Sequence, residues 1–322
     1  MKVAIVGEIH ESGWEILKNE NFDIIDVKNF HEENLIEELK DVEGILLRTS
    51  KLEKNVLLHC KKLKIIARHG VGYDNVDLDY LNQNGIALGI TGTSNSVTVA
   101  EYVMTAFLFL ARKTKYADTL VKEGNFKNKK TLPEFYELYK KNILICGFGR
   151  IGKAVAKRCL GFDSNVYVFD PLVDKKEIEK AGCISIEKNE GIKIADYITL
   201  HLPLNDKTKN FISKQEFELC KNSAIIVNAA RGGIVNEEDL VDALKNKKIQ
   251  AVALDVFEQE PPPEDHPIFK FENVLLSPHN SALSLECRKR MAIESSETIS
   301  SYLKDKSNLN LDNIINKKYL EI

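Results

Sequence analysis

Residues 142–170 combine a glycine-rich turn with two apolar strand patterns, and they constrain the fold more than any other part of the sequence. Asn142–Cys146 is an apolar run of strand length, and the pattern G-x-G-x-x-G follows directly at residues 147–152. A helical pattern over Lys153–Leu160 comes next, and a second apolar run then ends in Asp170. This order of strand, glycine turn, helix and strand predicts the opening of a doubly wound parallel sheet.

The glycines and the acid of this segment suit a dinucleotide. Gly147 and Gly149 permit a tight turn and a close approach of the backbone to a pyrophosphate, and Gly152 lets the helix pack closely on the strand. The start of the helix offers free N–H groups and the positive end of its dipole to the phosphates. A carboxylate at Asp170 accepts hydrogen bonds from a ribose diol and repels a 2′-phosphate. The segment therefore predicts an NAD(H) site and favours NAD over NADP.

Strand-length apolar runs alternate with helical patterns along most of the chain, which predicts an α/β protein. Its 322 residues exceed what one core usually holds, so we expect two domains. Residues 98–288 are expected to form a Rossmann-type doubly wound dinucleotide-binding domain. Residues 1–97 are expected to form a smaller, flavodoxin-like α/β substrate (catalytic) domain, which residues 289–322 complete.

The strand patterns are short and well separated. The predicted strands are Val3–Val6, Asp23–Val27, Gly44–Leu47, Lys64–Ala67, Ile86–Leu88, Asn142–Cys146, Val166–Asp170, Tyr197–Leu200, Ala224–Asn228, Gln250–Leu254 and Val274–Ser277. Helical patterns include His31–Lys40, Leu78–Asn84 and a longer one from about Asn95 to Thr114, and residues 124–137 resemble a loop.

Composition excludes several classes of protein. The net charge of −3 comes from mixed acidic and basic residues, without a basic stripe, so no nucleic-acid partner is expected. The longest apolar stretch, Val97–Ala111, contains Glu101 and is too short to span a bilayer. The six cysteines form no CxxC pair and no Cys/His ligand spacing, so no metal is expected. These features, with a charged N-terminus, predict a cytoplasmic protein with reduced thiols and no membrane partner.

Three of the later predicted strands are followed by ionisable side chains, namely Arg231, Glu260 and His279. Taken singly, these residues also fit a turn, a surface charge and a capping or buried histidine. The carboxyl ends of parallel strands meet at one edge of a sheet, which is also the edge of the glycine turn. We therefore expect the three side chains to lie in one site.

This trio suits the interconversion of a 2-hydroxy acid and a 2-keto acid by hydride transfer. A neutral histidine takes the hydroxyl proton during oxidation, and the protonated ring returns it during reduction. A carboxylate beside the histidine orients the ring and favours imidazolium. An arginine binds the substrate carboxylate in a fork and polarises the carbonyl. His201 follows another predicted strand, where a place beside the nicotinamide and a structural role both remain open.

Five motifs in order and spacing resemble the D-isomer-specific 2-hydroxyacid dehydrogenase family over nearly the whole chain: ICGFGRIG, DYITLHLPL, IIVNAARGGIVNEEDL, ALDVFEQEPP and SPHN. The resemblance implies that Arg231 binds the substrate, that His279 is the acid/base and that Glu260, which directly precedes proline, tunes it. The cofactor contacts that it implies are Gly147, Gly149, Arg150, Ile151, Gly152, Asp170, Leu202, Pro203, Ala229, Ala230 and Asp255.

The resemblance also places substrate contacts in the first domain. The segment ARHGVGYDNVD matches the substrate-facing loop of the family, so the backbone of Val71 and Gly72 is expected to receive the substrate carboxylate, with His69 as an added polar group. Arg48 matches an arginine that phosphoglycerate dehydrogenases use for an anionic substrate, and Asn95 lies in the hinge motif. A homodimer through the nucleotide domain and the segment near residues 97–138 is implied as well.

The substrate itself stays open at this point. After His279 the chain has Asn280 and Ser281, where many phosphoglycerate dehydrogenases have a glycine pair, and no C-terminal regulatory domain is expected. Phosphoglycerate dehydrogenase-like and hydroxypyruvate or glyoxylate reductase-like activities lead, with sulfolactate or another anionic hydroxy acid as the alternative. A non-catalytic NAD-sensing regulator would lose the trio, and a formate dehydrogenase would carry glutamine in place of Glu260.

Overall fold

The chain forms two compact α/β units in the computed structural model, which describes residues 1–320 and, of residues 129–131, only the backbone. The first unit comprises Met1–Asn95 together with the residues from Leu283 onward, and the second comprises Ser96–Ala282. The predicted divisions, after residues 97 and 288, differ from these boundaries by two and six residues respectively.

All strands of the two sheets are parallel. They are β1 (Lys2–Val6), β2 (Asp23–Val27), β3 (Gly44–Leu47), β4 (Ile65–Arg68), β5 (Ala87–Gly89), β6 (Asn142–Cys146), β7 (Asn165–Phe169), β8 (Ile184–Ser185), β9 (Tyr197–Leu200), β10 (Ile225–Asn228), β11 (Ala251–Leu254) and β12 (Val274–Leu276).

Helices connect the strands. They are α1 (Glu11–Asn19), α2 (Glu32–Leu39), α3 (Lys54–Leu57), α4 (Leu78–Gln83), α5 (Ser96–Arg112), α6 (Thr114–Lys122), α7 (Arg150–Leu160), α8 (Lys175–Lys180), α9 (Lys188–Ile194), α10 (Lys214–Leu219), α11 (Glu237–Lys245) and α12 (Leu285–Leu303). Among the described residues, no helix is long and apolar enough to cross a membrane.

The sheet of the first unit has the strand order β2-β1-β3-β4-β5, which is the flavodoxin-like order and confirms the prediction. Helix α12 starts at the Ser284 cap, whose side chain accepts the Cys287 N–H, and returns to this sheet. Its Ala292 and Ile299 share a buried apolar cluster with Val3 of β1. The C-terminal segment therefore completes the first unit, as predicted.

The sheet of the second unit has the order β12-β11-β10-β9-β6-β7-β8, so β7 and β8 are added on one side of β6, and β9 to β12 are added on its other side. Central strands such as β9 and β10 are buried at every position, and apolar clusters cover both faces of the sheet. This is the predicted Rossmann-type doubly wound sheet. Its ligand crevice is expected beyond the carboxyl ends of β6 and β9, where the order reverses.

Three details differ from the sequence prediction. Helix α7 begins at Arg150 rather than Lys153, because Gly149 is its N-cap and Gly152 lies within its first turn. Strand β8 was not predicted, since Ile184–Ser185 is too short for an alternating pattern. Part of the predicted loop 124–137 is a short 3-10 helix, Phe126–Thr131.

Candidate active site

The glycine turn after β6 is closely packed at its first and third glycines and open at the second. Gly147 has φ +95°, and a Cβ there would lie 2.4 Å from the carbonyl oxygen of His201. A Cβ on Gly152 would lie 2.1 Å from the carbonyl oxygen of Gly147. At Gly149 a Cβ would meet no atom within 4 Å. The turn is therefore a cradle of exposed backbone at the N-terminus of α7, which fits a pyrophosphate.

Asp170 follows β7 directly and supports this turn. Its Oδ2 accepts the N–H of Phe148 at 2.7 Å, in the middle of the glycine pattern, and its Oδ1 accepts the N–H of Leu172 at 2.9 Å. Sequence reasoning missed this second role. A carboxylate has about four lone-pair sites, so two of them remain for the hydroxyls of a ribose.

His201 lies behind the glycine turn as a half-buried residue whose ring Nδ1 is buried. Its Nε2 is 3.0 Å from the hydroxyl of Thr199, and its Nδ1 has no hydrogen-bond partner among the described residues. Burial lowers the pKa of His201 to about 3. The ring is therefore neutral near pH 7, which favours the structural alternative for this residue. Leu202 and Pro203 continue from it beyond β9.

The turn that carries Arg231 is organised by a buried amide at the end of β10. The Nδ2 of Asn228 donates to the Arg231 carbonyl at 2.8 Å, and its Oδ1 accepts the Ala230 N–H at 3.1 Å. A Cβ on Gly232 would lie 1.8 Å from the Phe257 carbonyl oxygen. The Arg231 turn therefore packs directly against the loop that follows β11.

Glu260 and His279 form a hydrogen-bonded pair, with 2.8 Å between Glu260 Oε2 and His279 Nδ1. The other oxygen of Glu260 accepts the Phe257 N–H at 3.1 Å, which fixes the carboxylate. Because an ionised carboxylate only accepts, Nδ1 carries the ring proton and Nε2 is left to exchange a proton with a reactant. The His279 side chain is 51% exposed, so this nitrogen is accessible.

The structure thus gathers the predicted residues of the second unit at one edge of its sheet. Beyond the carboxyl ends of β6, β7, β9, β10, β11 and β12 lie, respectively, the glycine turn, Asp170, Leu202 with Pro203, Ala229 to Arg231, Asp255 with Glu260, and His279.

The first unit holds a cavity of about 350 Å³ with basic side chains in its wall. Arg48 follows β3, His69 follows β4, and Arg288 lies near the start of α12. The lining residues are Glu8, Ile9, His10, Glu11, Arg48, His69 and Arg288. Sequence reasoning missed Arg288, because its place beside Arg48 depends on how α12 packs on the sheet.

His69 is a buried polar group in the wall of this cavity. It is 7% exposed, and its Nε2 has no hydrogen-bond partner among the described residues. Burial lowers the pKa of His69 to about 4, although a hydrogen bond with the backbone of Arg288 opposes this shift. The ring is therefore neutral near pH 7, and its unpartnered nitrogen is buried.

A buried arginine holds the loop that follows β4. The Nε of Arg68 donates to the Gly72 carbonyl and its Nη1 donates to the Leu47 carbonyl, both at 2.8 Å. This bracing fixes the turn that contains Val71 and Gly72. Asn95 is the last residue of the first segment of this unit; it is 9% exposed, and its Oδ1 has no hydrogen-bond partner among the described residues.

Comparisons with known proteins agree with this architecture. Residues 104–281 match the family model described as D-isomer specific 2-hydroxyacid dehydrogenase, NAD binding domain. The chain is 36% identical over 318 residues to a D-3-phosphoglycerate dehydrogenase of Methanocaldococcus jannaschii, covering 98% of this chain and 60% of that protein. It is also 34% identical over 261 residues to a glyoxylate reductase of Korarchaeum cryptofilum, covering 80% and 79% of the two chains.

A solved structure shows the same fold over both units. The D-lactate dehydrogenase of Aquifex aeolicus, complexed with NAD and lactic acid, superimposes with a TM-score of 0.85 at 26% identity, covering 98% of this chain and 99% of that one. The chain spans about three fifths of the length of the Methanocaldococcus phosphoglycerate dehydrogenase. On the family model and on identity over nearly its whole length, this chain belongs to the D-isomer-specific 2-hydroxyacid dehydrogenase family.

Proposed function

We propose that the chain is an NAD-dependent dehydrogenase that transfers hydride between NAD(H) and a small 2-hydroxy or 2-keto acid. The observation that carries the proposal is the 2.8 Å contact between Glu260 and His279 at the sheet edge that also bears the glycine turn. An acid/base beside a dinucleotide cradle is the constellation that this reaction needs.

Each of the three side chains has a separate role in the reduction of the keto acid. Protonated His279 donates from Nε2 to the carbonyl oxygen of the keto acid, while Glu260 stabilises the imidazolium through Nδ1. The Arg231 guanidinium binds the substrate carboxylate and polarises the carbonyl. In oxidation the neutral ring takes the hydroxyl proton at Nε2, so the same residues serve both directions.

The cofactor supplies hydride at the nicotinamide when it is bound. The open backbone at Gly149 and the N-terminus of α7 fit its pyrophosphate, and Asp170 fits the adenosine ribose. Arg150, Ile151 and the residues that follow β9 and β10 would line the rest of the binding site.

A panel of 2-keto acids tests the activity. Purified protein is incubated with NADH and 3-phosphohydroxypyruvate, hydroxypyruvate, glyoxylate or sulfopyruvate, and loss of absorbance at the nicotinamide band is followed. We expect substrate-dependent oxidation with at least one acid. Tight NADH binding without turnover of any acid would instead support an NAD-sensing protein.

Asp170 is proposed to select NAD over NADP. We expect Asp170→Ala to shift the NADH/NADPH affinity ratio toward NADPH by about tenfold to a hundredfold, because it removes a charge-assisted hydrogen bond and a repulsive charge. Fluorescence titration with both cofactors measures the ratio.

Asp174→Ala is the matched control, since Asp174 is a nearby carboxylate that caps α8. Because Asp170 also accepts the Phe148 N–H, its variant is expected to weaken both cofactors somewhat, so the ratio is the decisive quantity. An unchanged ratio would show that Asp170 is not the ribose acceptor.

The cavity of the first unit supports a substrate with a second anionic group. Two arginines line it, and neither Arg48 nor Arg288 has a hydrogen bond or ion pair of its side chain among the described residues. Buried His69 adds an unpartnered nitrogen. We therefore propose that a phosphate-type or sulfonate-type group on the substrate binds here, with the exposed Glu8 and Glu11 at the rim.

His69 should make recognition of such a substrate dependent on pH. Free His69 is neutral above its pKa of about 4, so an anion bound beside it favours proton uptake. The affinity is then highest at low pH and decreases as the pH rises through the pKa of His69 in the complex. With phosphohydroxypyruvate as the substrate, we expect KM to rise from pH 6 to pH 8 more steeply in the wild type than in His69→Ala.

Glyoxylate is the control substrate, because it lacks the second anionic group. In His69→Ala we expect KM to rise about tenfold with phosphohydroxypyruvate and by less than about twofold with glyoxylate. The variant also isolates the titration of the substrate phosphate itself. Equal changes for both acids would place the second anion elsewhere.

We further propose a homodimer with a cytoplasmic location. Helix α6 has no buried residue, and apolar side chains in and after it are exposed, among them Tyr116, Val121, Phe126 and Tyr139. A second copy could cover this surface. All six cysteines are buried thiols, which suits a reducing compartment. Sedimentation equilibrium should give twice the chain mass of 36.4 kDa.

A further inference from the structure

We propose that Asp255, Ser277 and Tyr102 are positioning residues that hold His279 in its working conformation. They form a continuous hydrogen-bonded chain from helix α5 to the turn that carries the histidine. The inference rests on the proposed role of His279 as the acid/base, and it assigns Asp255 to the histidine turn in addition to any contact with the cofactor.

Asp255 clamps residues 277–281 from the end of β11. The residue is fully buried, and its carboxylate accepts the Ser277 hydroxyl at 2.6 Å, the Asn280 N–H at 2.8 Å and the Ser281 N–H at 2.9 Å. Its backbone carbonyl accepts the His279 N–H at 2.9 Å. Burying a carboxylate without such donors would be strongly unfavourable. Movement of the turn would therefore break these hydrogen bonds and leave a buried carboxyl group without its partners.

The histidine needs this restraint. His279 has φ +51°, in the left-handed region that few non-glycine residues occupy. Strained backbone of this kind persists where the surrounding structure over-determines it, and it clusters at functional sites. The hydrogen bonds of Asp255 hold the backbone of His279 in this conformation. They also fix the direction from which the ring approaches Glu260.

Tyr102 extends this series of hydrogen bonds to α5. The Ser277 hydroxyl has one proton and donates it to Asp255, so the Tyr102 hydroxyl must be the donor in its 2.6 Å contact with Ser277 Oγ. Burial raises the pKa of Tyr102 to about 12, so the phenol keeps its proton in the working range of pH. Tyr102 packs against the apolar cluster that includes Val103 and Phe107, which makes α5 a firm support.

Conservative variants test the hydrogen-bonded series from Tyr102 through Ser277 to Asp255. We expect Ser277→Ala to lower kcat by about tenfold to a hundredfold and Tyr102→Phe by about three- to tenfold, with the dissociation constant of NADH within about twofold of the wild type. Ser277→Thr keeps the hydroxyl and should stay within about threefold of the wild type. The double variant Ser277→Ala, Tyr102→Phe should be no worse than Ser277→Ala alone, because both changes break one chain.

A second measurement does not depend on turnover. In the wild type, NMR of the protein labelled at histidine nitrogen should show the Nδ1 proton of His279 in its hydrogen bond to Glu260, and Ser277→Ala should weaken or abolish this signal. Thermal denaturation checks that both variants remain folded.

The outcomes separate the two proposals. An unchanged kcat and an unchanged Nδ1 signal in Ser277→Ala and Tyr102→Phe would overturn the positioning role. So would a loss that appears only as weaker NADH binding, which would return Asp255 and its partners to the cofactor site alone. Wild-type protein that turns over no keto acid would reject the dehydrogenase, and the Nδ1 signal would still report whether the chain positions His279.

Discussion

Replacement of His279 by alanine is expected to lower kcat by about 10²- to 10⁴-fold, which is the usual contribution of a general acid/base. NADH binding should change by less than about twofold, because the ring lies beyond β12 while the glycine turn lies beyond β6. The free Nε2 opposite the 2.8 Å contact with Glu260 is the physical reason for the expected loss. Stopped-flow and steady-state assays with the best keto acid of the panel measure both quantities.

The control is His31→Ala, which removes an exposed histidine whose side chain makes no capping hydrogen bond. This variant should retain full activity. His279→Gln keeps a polar side chain at the same strained turn but cannot carry a proton at the required place, so it should be as slow as the alanine variant. Normal turnover in either His279 variant would remove this residue from the mechanism.

The sequence predicted the sheets because most of their strands are short apolar runs buried on both faces. Strands such as Ala251–Leu254 are continuous apolar segments in the sequence, and their boundaries were predicted to within about one residue. The two-residue strand β8 carries no such signal. The start of α7 was predicted three residues too late. Glycines have low helix propensity, so the first turn after the Gly149 cap, which contains Gly152, does not look helical in the sequence.

The sequence predicted the site residues that come soon after a strand. It did not predict the residues that tertiary packing brings to them. Glu260 and His279 were expected in one site, and the structure adds their direct hydrogen bond. Arg288 comes to the cavity from α12, and no local pattern marks it. Tyr102 looks in the sequence like one more apolar position of α5, and only its 2.6 Å contact with Ser277 gives it a polar role.

Replacement of Arg231 by alanine is expected to lower kcat/KM by about 10²- to 10³-fold, the range seen when one electrostatic group of a reaction centre is removed. Arg231→Lys should recover only part of this loss. A lysine keeps the charge but cannot present the planar fork that binds a carboxylate through two N–H groups. Because the fork binds the substrate in its ground state as well as in the transition state, KM should rise while kcat also falls.

The backbone of the turn around Arg231 is held by other residues, so the predicted loss should come from the side chain alone. Asn228 holds the Arg231 carbonyl and Gly232 packs against the Phe257 carbonyl, so the backbone should stay in place when the guanidinium is removed. Arg112→Ala is the control, since this exposed arginine lies over the ring of Phe135 at the end of α5. If Arg231→Ala instead loses NADH affinity with kcat intact, the residue belongs to the cofactor site. The substrate carboxylate would then need another partner, and the amides of Val71 and Gly72, braced by Arg68, would be the next to test.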